Sequence, residues 1–444
     1  MRTLLLSLCL ALPAAAQTAP ARAFPWPITT STLKNGLTVM RVPFASPGLV
    51  AYYTVVRVGS RNEVEPGHTG FAHFFEHMMF RGTKRFPEGA RSALLGKLGF
   101  TENAFTSDDV TVYTINGPSA ALDTLVDVEA DRFRNLEYAE EPFKTEAAAV
   151  LGEYNKNAAN PALKIEEAVL GAAFSKHPYR HTTLGFVEDI RAMPTRYEYS
   201  KQFFKRWYTP DNCVVVVVGD FDDVTLMKAI EAQYGPWTGK AAKLPIPAEP
   251  ALPGPREAKV TWTSPTLPRT ALYFRTPASA VSTKDGAIMT VLAQYLAGPT
   301  SPLFKSLVLE KQLVDRLDPS FVDHRDPNLF GLEVKLKDEK HRAEVNAALQ
   351  AAIDEVTKAV DEKRLADIRD HLRFGLLMEL ESPAEVAEAL AWATGILGSP
   401  EALERQQQQL LAVTGKDLVA FAKTHLTPKN RVTLEFTVAV KEVK

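Results

Sequence analysis

The run Leu244-Pro245-Ile246-Pro247-Ala248-Glu249-Pro250-Ala251-Leu252-Pro253-Gly254-Pro255 contains five prolines and no apolar period. Neither a helix interior nor a central strand can pass through such a segment, because proline removes a backbone donor and fixes φ. The run is expected to behave as a semi-rigid extended spacer. It divides the chain into halves of about two hundred residues each, an ordinary domain size. The halves echo one another. Lys205-Arg206-Trp207-Tyr208-Thr209-Pro210-Asp211-Asn212 precedes the valine run Val214 to Val218, and Lys423-Thr424-His425-Leu426-Thr427-Pro428-Lys429-Asn430 precedes Val432 to Val438. In both, a helix ends, a Thr-Pro-x-Asn turn follows and a β-rich run begins. The two turns lie 218 residues apart, which indicates an internal duplication.

Each half alternates strand-like and helix-like segments. In the first, Thr38 to Val42, Val50 to Val58 and Asp109 to Ile115 are predicted strands, and Gly67 to Arg81, Ala120 to Phe133 and Glu141 to Asn157 predicted helices. The second repeats strand (Ala271 to Arg275), helix (Lys284 to Leu296), helix (Leu303 to Glu310) and strand (Phe330 to Leu336), then two or three helices up to Thr424. The expectation is two domains, residues 24–240 and 258–444, each a sheet covered by helices and joined by a linker over 241–257.

The first residues have the form of an export signal. Arg2 supplies the positive region, Leu4 to Leu12 is apolar, and Ala14-Ala15-Ala16 offers a cleavage site before Gln17. A signal peptide over residues 1–16 implies an exported, periplasmic protein. Cys9 follows the bulky Leu8 within the apolar run, so lipid attachment there is not expected, and Cys213 alone cannot form an internal disulfide. No later stretch is long and apolar enough to span a membrane. Lys plus Arg number 51 against 53 Asp plus Glu, a net charge of -2. Nucleic-acid binding gains no support from that balance.

His73-Phe74-Phe75-Glu76-His77 lies inside a predicted helix. Residues four apart share a helix face, so His73 and His77 can offer two imidazoles to one ion. Glu76 falls on nearly the same side, where its carboxylate can hold a water beside the ion and take its proton. Phe71, Phe74, Phe75, Met78, Met79 and Phe80 make the helix apolar, and three polar residues there are costly without partners. A zinc site needs a third protein ligand. Glu146 and Glu153 share one face of the next long helix, seven residues apart. One can ligate while the other supports an imidazole, and spacing alone does not choose between them.

The inverted order H-x-x-E-H marks the inverzincins, and the chain from about residue 28 to 440 resembles the pitrilysin/insulinase family of zinc metallopeptidases, in the short two-domain branch near the mitochondrial processing peptidases. That family places its third ligand about 76 residues after the second His, and Glu153 lies 76 residues after His77. Phe80-Arg81-Gly82-Thr83, Gly99 with Asn103-Ala104-Phe105-Thr106, His177-Pro178-Tyr179 and Tyr208-Thr209-Pro210-Asp211-Asn212 also fit its pattern. The resemblance implies an α+β fold of two duplicated domains, each a mixed, largely antiparallel sheet flanked by helices. It further implies one Zn2+ per chain on His73, His77 and Glu153, Glu76 as general base and Glu146 supporting the site. Asn103, Ala104 and Phe105 would lie along a bound peptide on an edge strand, with Asn103 steadying the scissile carbonyl.

The second half departs from the pattern. The family's Ser-Arg-Leu and Gly-Leu-Ala-Tyr segments correspond to Ser301-Pro302-Leu303 and Gln312-Leu313-Val314-Asp315, which lack the Arg and Tyr that assist substrate binding. The glycine-rich loop of the non-catalytic processing subunits is missing too. Long family members build a closed chamber from four such domains, and this chain has two. The implied protein is an endopeptidase for short unfolded peptides, working as a heterodimer with a zinc-free homologue that supplies Arg and Tyr. A homodimer, or a non-enzymatic scaffold subunit on the same fold, is the alternative.

Overall fold

The computed structural model describes residues 24–439; the expected signal peptide lies outside them. Strands β1 (Thr29–Thr32), β2 (Thr38–Pro43), β3 (Leu49–Val56), β4 (Thr101–Thr106), β5 (Thr111–Pro118) and β6 (Cys213–Gly219) form one sheet in the order β1-β2-β6-β3-β5-β4. Strands β7 (Arg256–Trp262), β8 (Arg269–Thr276), β9 (Val314–Ser320), β10 (Asn328–Leu336) and β11 (Arg431–Val438) form a second in the order β7-β11-β8-β10-β9. In each sheet one pair is parallel, β2 with β6 and β7 with β11, and every other pair is antiparallel. Without β1 the two sheets have the same order and the same strand directions, so the duplication expected from the Thr-Pro turns is present in three dimensions.

The valine run explains why β6 is central. Every residue from Cys213 to Gly219 is buried, because side chains alternate between two covered faces. Val215 and Val217 enter a core with Phe71, Phe75 and Phe133, whereas Val214, Val216 and Val218 enter another with Val386, Leu390 and Ala393. That second core depends on the other half of the chain: the Pro383–Ile396 helix lies on the outer face of the first sheet. The exchange is reciprocal. The Pro161–Ala173 helix places Ile165, Val169 and Ala173 against Ala258, Tyr273, Val432 and Phe436 of the second sheet.

The proline-rich segment has no regular structure between residues 241 and 255, yet it is tied down. The Glu249 carboxylate accepts the backbone N–H groups of Ser175, Lys176 and His177 at 2.7–2.8 Å. Leu252 is buried against the second sheet, and β7 begins at Arg256, two residues inside the expected linker.

Three other expectations need adjustment. The first-half helix expected from Gly67 starts only at Phe71, because Gly70 adopts a left-handed φ of 90°. Leu303 to Glu310 is a short turn, Pro302–Phe304, running into a wider π-helical turn, Lys305–Glu310. Five helices, rather than two or three, separate β10 from β11: Arg342–Val356, Glu362–Met378, Pro383–Ile396, Ala402–Leu411 and Gly415–His425. Ser382 before Pro383 and the Thr414–Asp417 capping box start two of them afresh.

Candidate metal centre

The Phe71–Met78 helix is held at its first turn by a carboxylate brought from eight residues upstream. Glu63 Oε2 accepts the Gly70 N–H and Oε1 the Ala72 N–H, both at 2.7 Å, which satisfies donors that a helix start leaves unpaired. Glu63 is buried, and burial pushes its pKa up to about 8 against the opposing pull of these N–H groups. Phe71, Phe74, Phe75 and Met78 lock the helix into the core. His73 is buried beside them; Glu76 and His77 are half-buried.

The Glu140–Ala158 helix packs through Phe143, Ala147, Val150 and Tyr154. It thereby delivers Glu146 and Glu153 to opposite sides of His77. His73 Nε2 and His77 Nε2 are 3.3 Å apart, and Glu153 Oε2 lies 3.5 Å from the first and 3.4 Å from the second. Ligands held about 2.0–2.1 Å from a tetrahedral ion are separated by about 3.3–3.4 Å. Two imidazole nitrogens and one carboxylate oxygen in this triangle therefore fit a zinc ion and leave a fourth position open. Among the described residues these three form the one such group of potential metal ligands.

Spacing left Glu146 and Glu153 open; in the structure Glu153 Oε2 lies within 3.5 Å of both imidazole Nε2 atoms, whereas Glu146 lies on the Nδ1 side of His77. Glu146 Oε1 is 2.8 Å from His77 Nδ1, and its other oxygen accepts from Arg81, which also pairs with Glu88. Burial would raise the Glu146 pKa, but the His77 and Arg81 hydrogen bonds hold it below its ordinary value. His77 is the converse: burial lowers its pKa, and Glu146 more than restores it. Burial, then the neighbouring His77, pushes His73 down to about 4, so it presents a neutral ring with a free lone pair. Burial also raises Glu76, opposed by the hydrogen bond that its Oε2 accepts from Thr106 Oγ1 at 2.6 Å.

These groups open on a cavity of about 430 Å3 lined by His73, Glu76, Glu153, Ala104, Phe105 and Thr106 among others. Strand β4 pairs only with β5 and so offers a free edge there. Ala104 and Phe105 line the cavity; Asn103 is exposed and does not. Glu102, Ala104 and Thr106 point toward the metal helix side, whereas Phe105 stacks on Trp392 of the exchanged helix, with ring centroids 5.5 Å apart. Strand alternation puts Asn103 on the Phe105 face.

The His177-Pro178-Tyr179 motif, with Asp108 and Asp109 beside it, joins the two halves. His177 Nε2 lies 2.9 Å from Asp326 Oδ2, the Tyr179 hydroxyl accepts the Asp326 N–H at 3.3 Å, Asp109 Oδ2 accepts the Arg325 N–H at 3.0 Å, and His324 Nε2 is 3.0 Å from Asp108 Oδ2. In the second half the Asp285–Ala297 helix, counterpart of the metal helix, carries no histidine. Asp315 accepts Lys335 Nζ at 2.9 Å, and Arg316 is exposed on β9, paired with Asp318. Three residues of the site escaped sequence reasoning in their roles: Glu63, Arg81 and Thr106. Arg81 and Thr106 stand in segments that matched the family pattern, Phe80 to Thr83 and Asn103 to Thr106, whereas Glu63 carried no such signal.

Residues 49–186 match the model of the insulinase family, peptidase family M16, and residues 196–372 match the M16 inactive domain. A zinc protease, PqqE, of Helicobacter pylori is 28% identical over 414 residues, 91% of each chain. A probable mitochondrial-processing peptidase subunit beta of Schizosaccharomyces pombe is 26% identical over 90% of this chain and 89% of its own. The crystal structure of a protease from Helicobacter pylori superposes with a TM-score of 0.85 at 27% identity, covering 93% of this chain and all of that one. With a metal-fitting triangle in one half, a histidine-free counterpart in the other and both domain models matched in order, the chain belongs to the insulinase family of peptidases, M16.

Proposed function

We propose that the protein is a zinc-dependent endopeptidase that hydrolyses short unfolded peptides in a chamber formed with a second subunit. The observation that carries this reading is the 3.3–3.5 Å triangle of His73, His77 and Glu153 beside the Glu76 carboxylate. His73, His77 and Glu153 would hold a zinc ion, which when bound would supply Lewis acidity toward the peptide carbonyl and the attacking water. The chain's own residues do the rest. Glu76 accepts the proton of the attacking water and hands it to the departing amine as the C–N bond breaks. Glu146 keeps the His77 proton on Nδ1, so Nε2 presents its lone pair. A peptide lying along the free side of β4 gains backbone hydrogen bonds independent of its sequence, with Ala104 and Phe105 beside it and Asn103 at the adjoining exposed face.

Pro302 and Asp315 stand where the resemblance calls for Arg and Tyr, and Asp315 is already engaged by Lys335. This supports a heterodimer with a zinc-free homologue that brings those two side chains. The expected signal peptide supports export to the periplasm. Among the described residues, no helix is long and apolar enough to cross a membrane.

The test is a quenched-fluorescent peptide assay with metal analysis, run on the chain alone and with any homologue that copurifies. Glu76→Gln should keep one zinc per chain and lose turnover by about a thousandfold or more. Undiminished turnover in Glu76→Gln refutes the assigned base. A wild-type chain that holds zinc yet cleaves nothing in any mixture points to the scaffold reading, which the match to an inactive-domain model favours for the second half.

A further inference from the structure

Glu76 makes one side-chain hydrogen bond among the described residues, from the Thr106 hydroxyl to Oε2 at 2.6 Å. That leaves Oε1 as the oxygen free to meet water in the cavity that both residues line. A glutamate on a helix has three rotatable bonds, and a base is effective only when its oxygen is held in hydrogen-bond reach of the proton it takes. Packing cannot supply this restraint, because the carboxylate must face an open cavity.

Thr106 is suited to the task by chemistry and by place. A β-branched side chain has little χ1 freedom, so the direction of its hydroxyl follows the strand backbone. Thr106 is the last residue of β4, the edge strand. The strand is anchored before and after it. Upstream, Glu102 accepts Ser92 Oγ at 2.6 Å and pairs with the buried Arg91, itself paired with Glu129. Downstream, Asp108 accepts Ser60 Oγ at 2.9 Å and faces His324 of the second half. The free edge between these anchors is the one available to an extended peptide.

We infer that Thr106 is a positioning residue that holds Oε2 of Glu76, aims Oε1 at the reacting water, and links the base to the strand that a peptide would extend. The inference deepens the peptidase reading and rests on Glu76 as its base. Occupation of the β4 edge then fixes substrate and base through one backbone segment, so their relative placement does not depend on separate loops.

The experiment compares Thr106→Val, Thr106→Ala and Thr106→Ser in the full chain, in whatever assembly shows activity. It measures kcat and KM on a quenched peptide, zinc per chain and melting temperature. Val keeps the shape and removes the donor; Ala removes it by truncation, in case Val disturbs folding; Ser keeps it. Val and Ala should lower kcat by about 10–100-fold with KM and zinc content unchanged, and Ser should stay within about threefold of wild type. Full kcat in Val or Ala overturns the inference, as does a Ser variant as impaired as Val, or a loss traced to missing zinc. Glu76→Gln separates the two levels: if it retains turnover the base assignment itself fails, whereas an inactive Glu76→Gln beside a fully active Thr106→Val removes Thr106 alone.

Discussion

Oε1 of Glu146 lies 2.8 Å from Nδ1 of His77, and the other oxygen of the same carboxylate is held by Arg81. One side chain thus fixes an imidazole and is itself fixed. Partners of this kind typically matter 10–100-fold for metal affinity. Glu146→Ala should therefore weaken zinc binding by about 10–100-fold, read by competition with a chromogenic chelator, while the three ligands remain in place. Unaltered affinity would mean that the Phe71–Met78 helix alone orients the ring.

Metal removal should be felt as stability. The triangle ties the Phe71–Met78 helix to the Glu140–Ala158 helix, and a ligand at about a thousand times its Kd stabilises a fold by about 4 kcal/mol. A chelator should lower the melting temperature by on the order of 5–10 °C. His73→Ala and Glu153→Ala should melt at the same temperature with and without chelator. Persistent chelator sensitivity in either variant would place the ion elsewhere.

The junction between halves has its own pH dependence. Burial lowers the His324 pKa, but the Asp108 hydrogen bond carries it above its ordinary value; burial raises Asp108, and His324 with Ser60 brings it below. A raised histidine contributes stability that is complete below its unfolded value, about 6.5, and is lost as pH climbs through the folded value. A depressed aspartate contributes above about 3.9 and loses that on acidification. The pair is therefore strongest between about pH 4 and 6.5. The melting-temperature gap between wild type and His324→Gln should be wider at about pH 5.5 than at about pH 9; equal gaps would remove the pair from the account.

Two glycines on the exchanged helices predict opposite outcomes. A Cβ on Gly395 would meet Val110 Cγ1 at 2.6 Å and Val55 Cγ1 at 3.2 Å, methyls of fully buried β-branched side chains with little χ1 freedom to move aside. Gly395→Ala should cost about 1–3 kcal/mol. Gly171 has nothing within 4 Å of the same position, and Gly171→Ala should be neutral or gain up to about 1 kcal/mol from helix propensity. Urea denaturation of both variants tests the pairing of the helix Pro383–Ile396 with the first sheet.

Local order was legible in the sequence, and long-range order much less so. His73, Glu76 and His77 could be placed together because a helix fixes their geometry within two turns. Val214 to Val218 could be placed centrally because a run of valines needs two covered faces. Glu146 and Glu153 could not be told apart by spacing, since what separates them is the side of His77 on which each arrives. The Thr106 contact depends on sheet register, and the Glu63 cap on a loop path, neither of which a local pattern encodes. Strands β1, β7 and β9 carry exposed, polar residues with weak alternation, as unprotected edges do. The apolar face of Ile165, Val169 and Ala173 announces a packed helix without saying that its partner sheet lies across the proline segment.

Because each half lends a helix to its twin, neither half contains a finished interior. Taken alone, the amino-terminal piece would leave Val214, Val216 and Val218 open to water and would carry a greasy helix with nothing to rest on. Cores shared in this way should make the two halves unfold in one transition, and trimming the chain to residues 24–240 should yield an insoluble fragment.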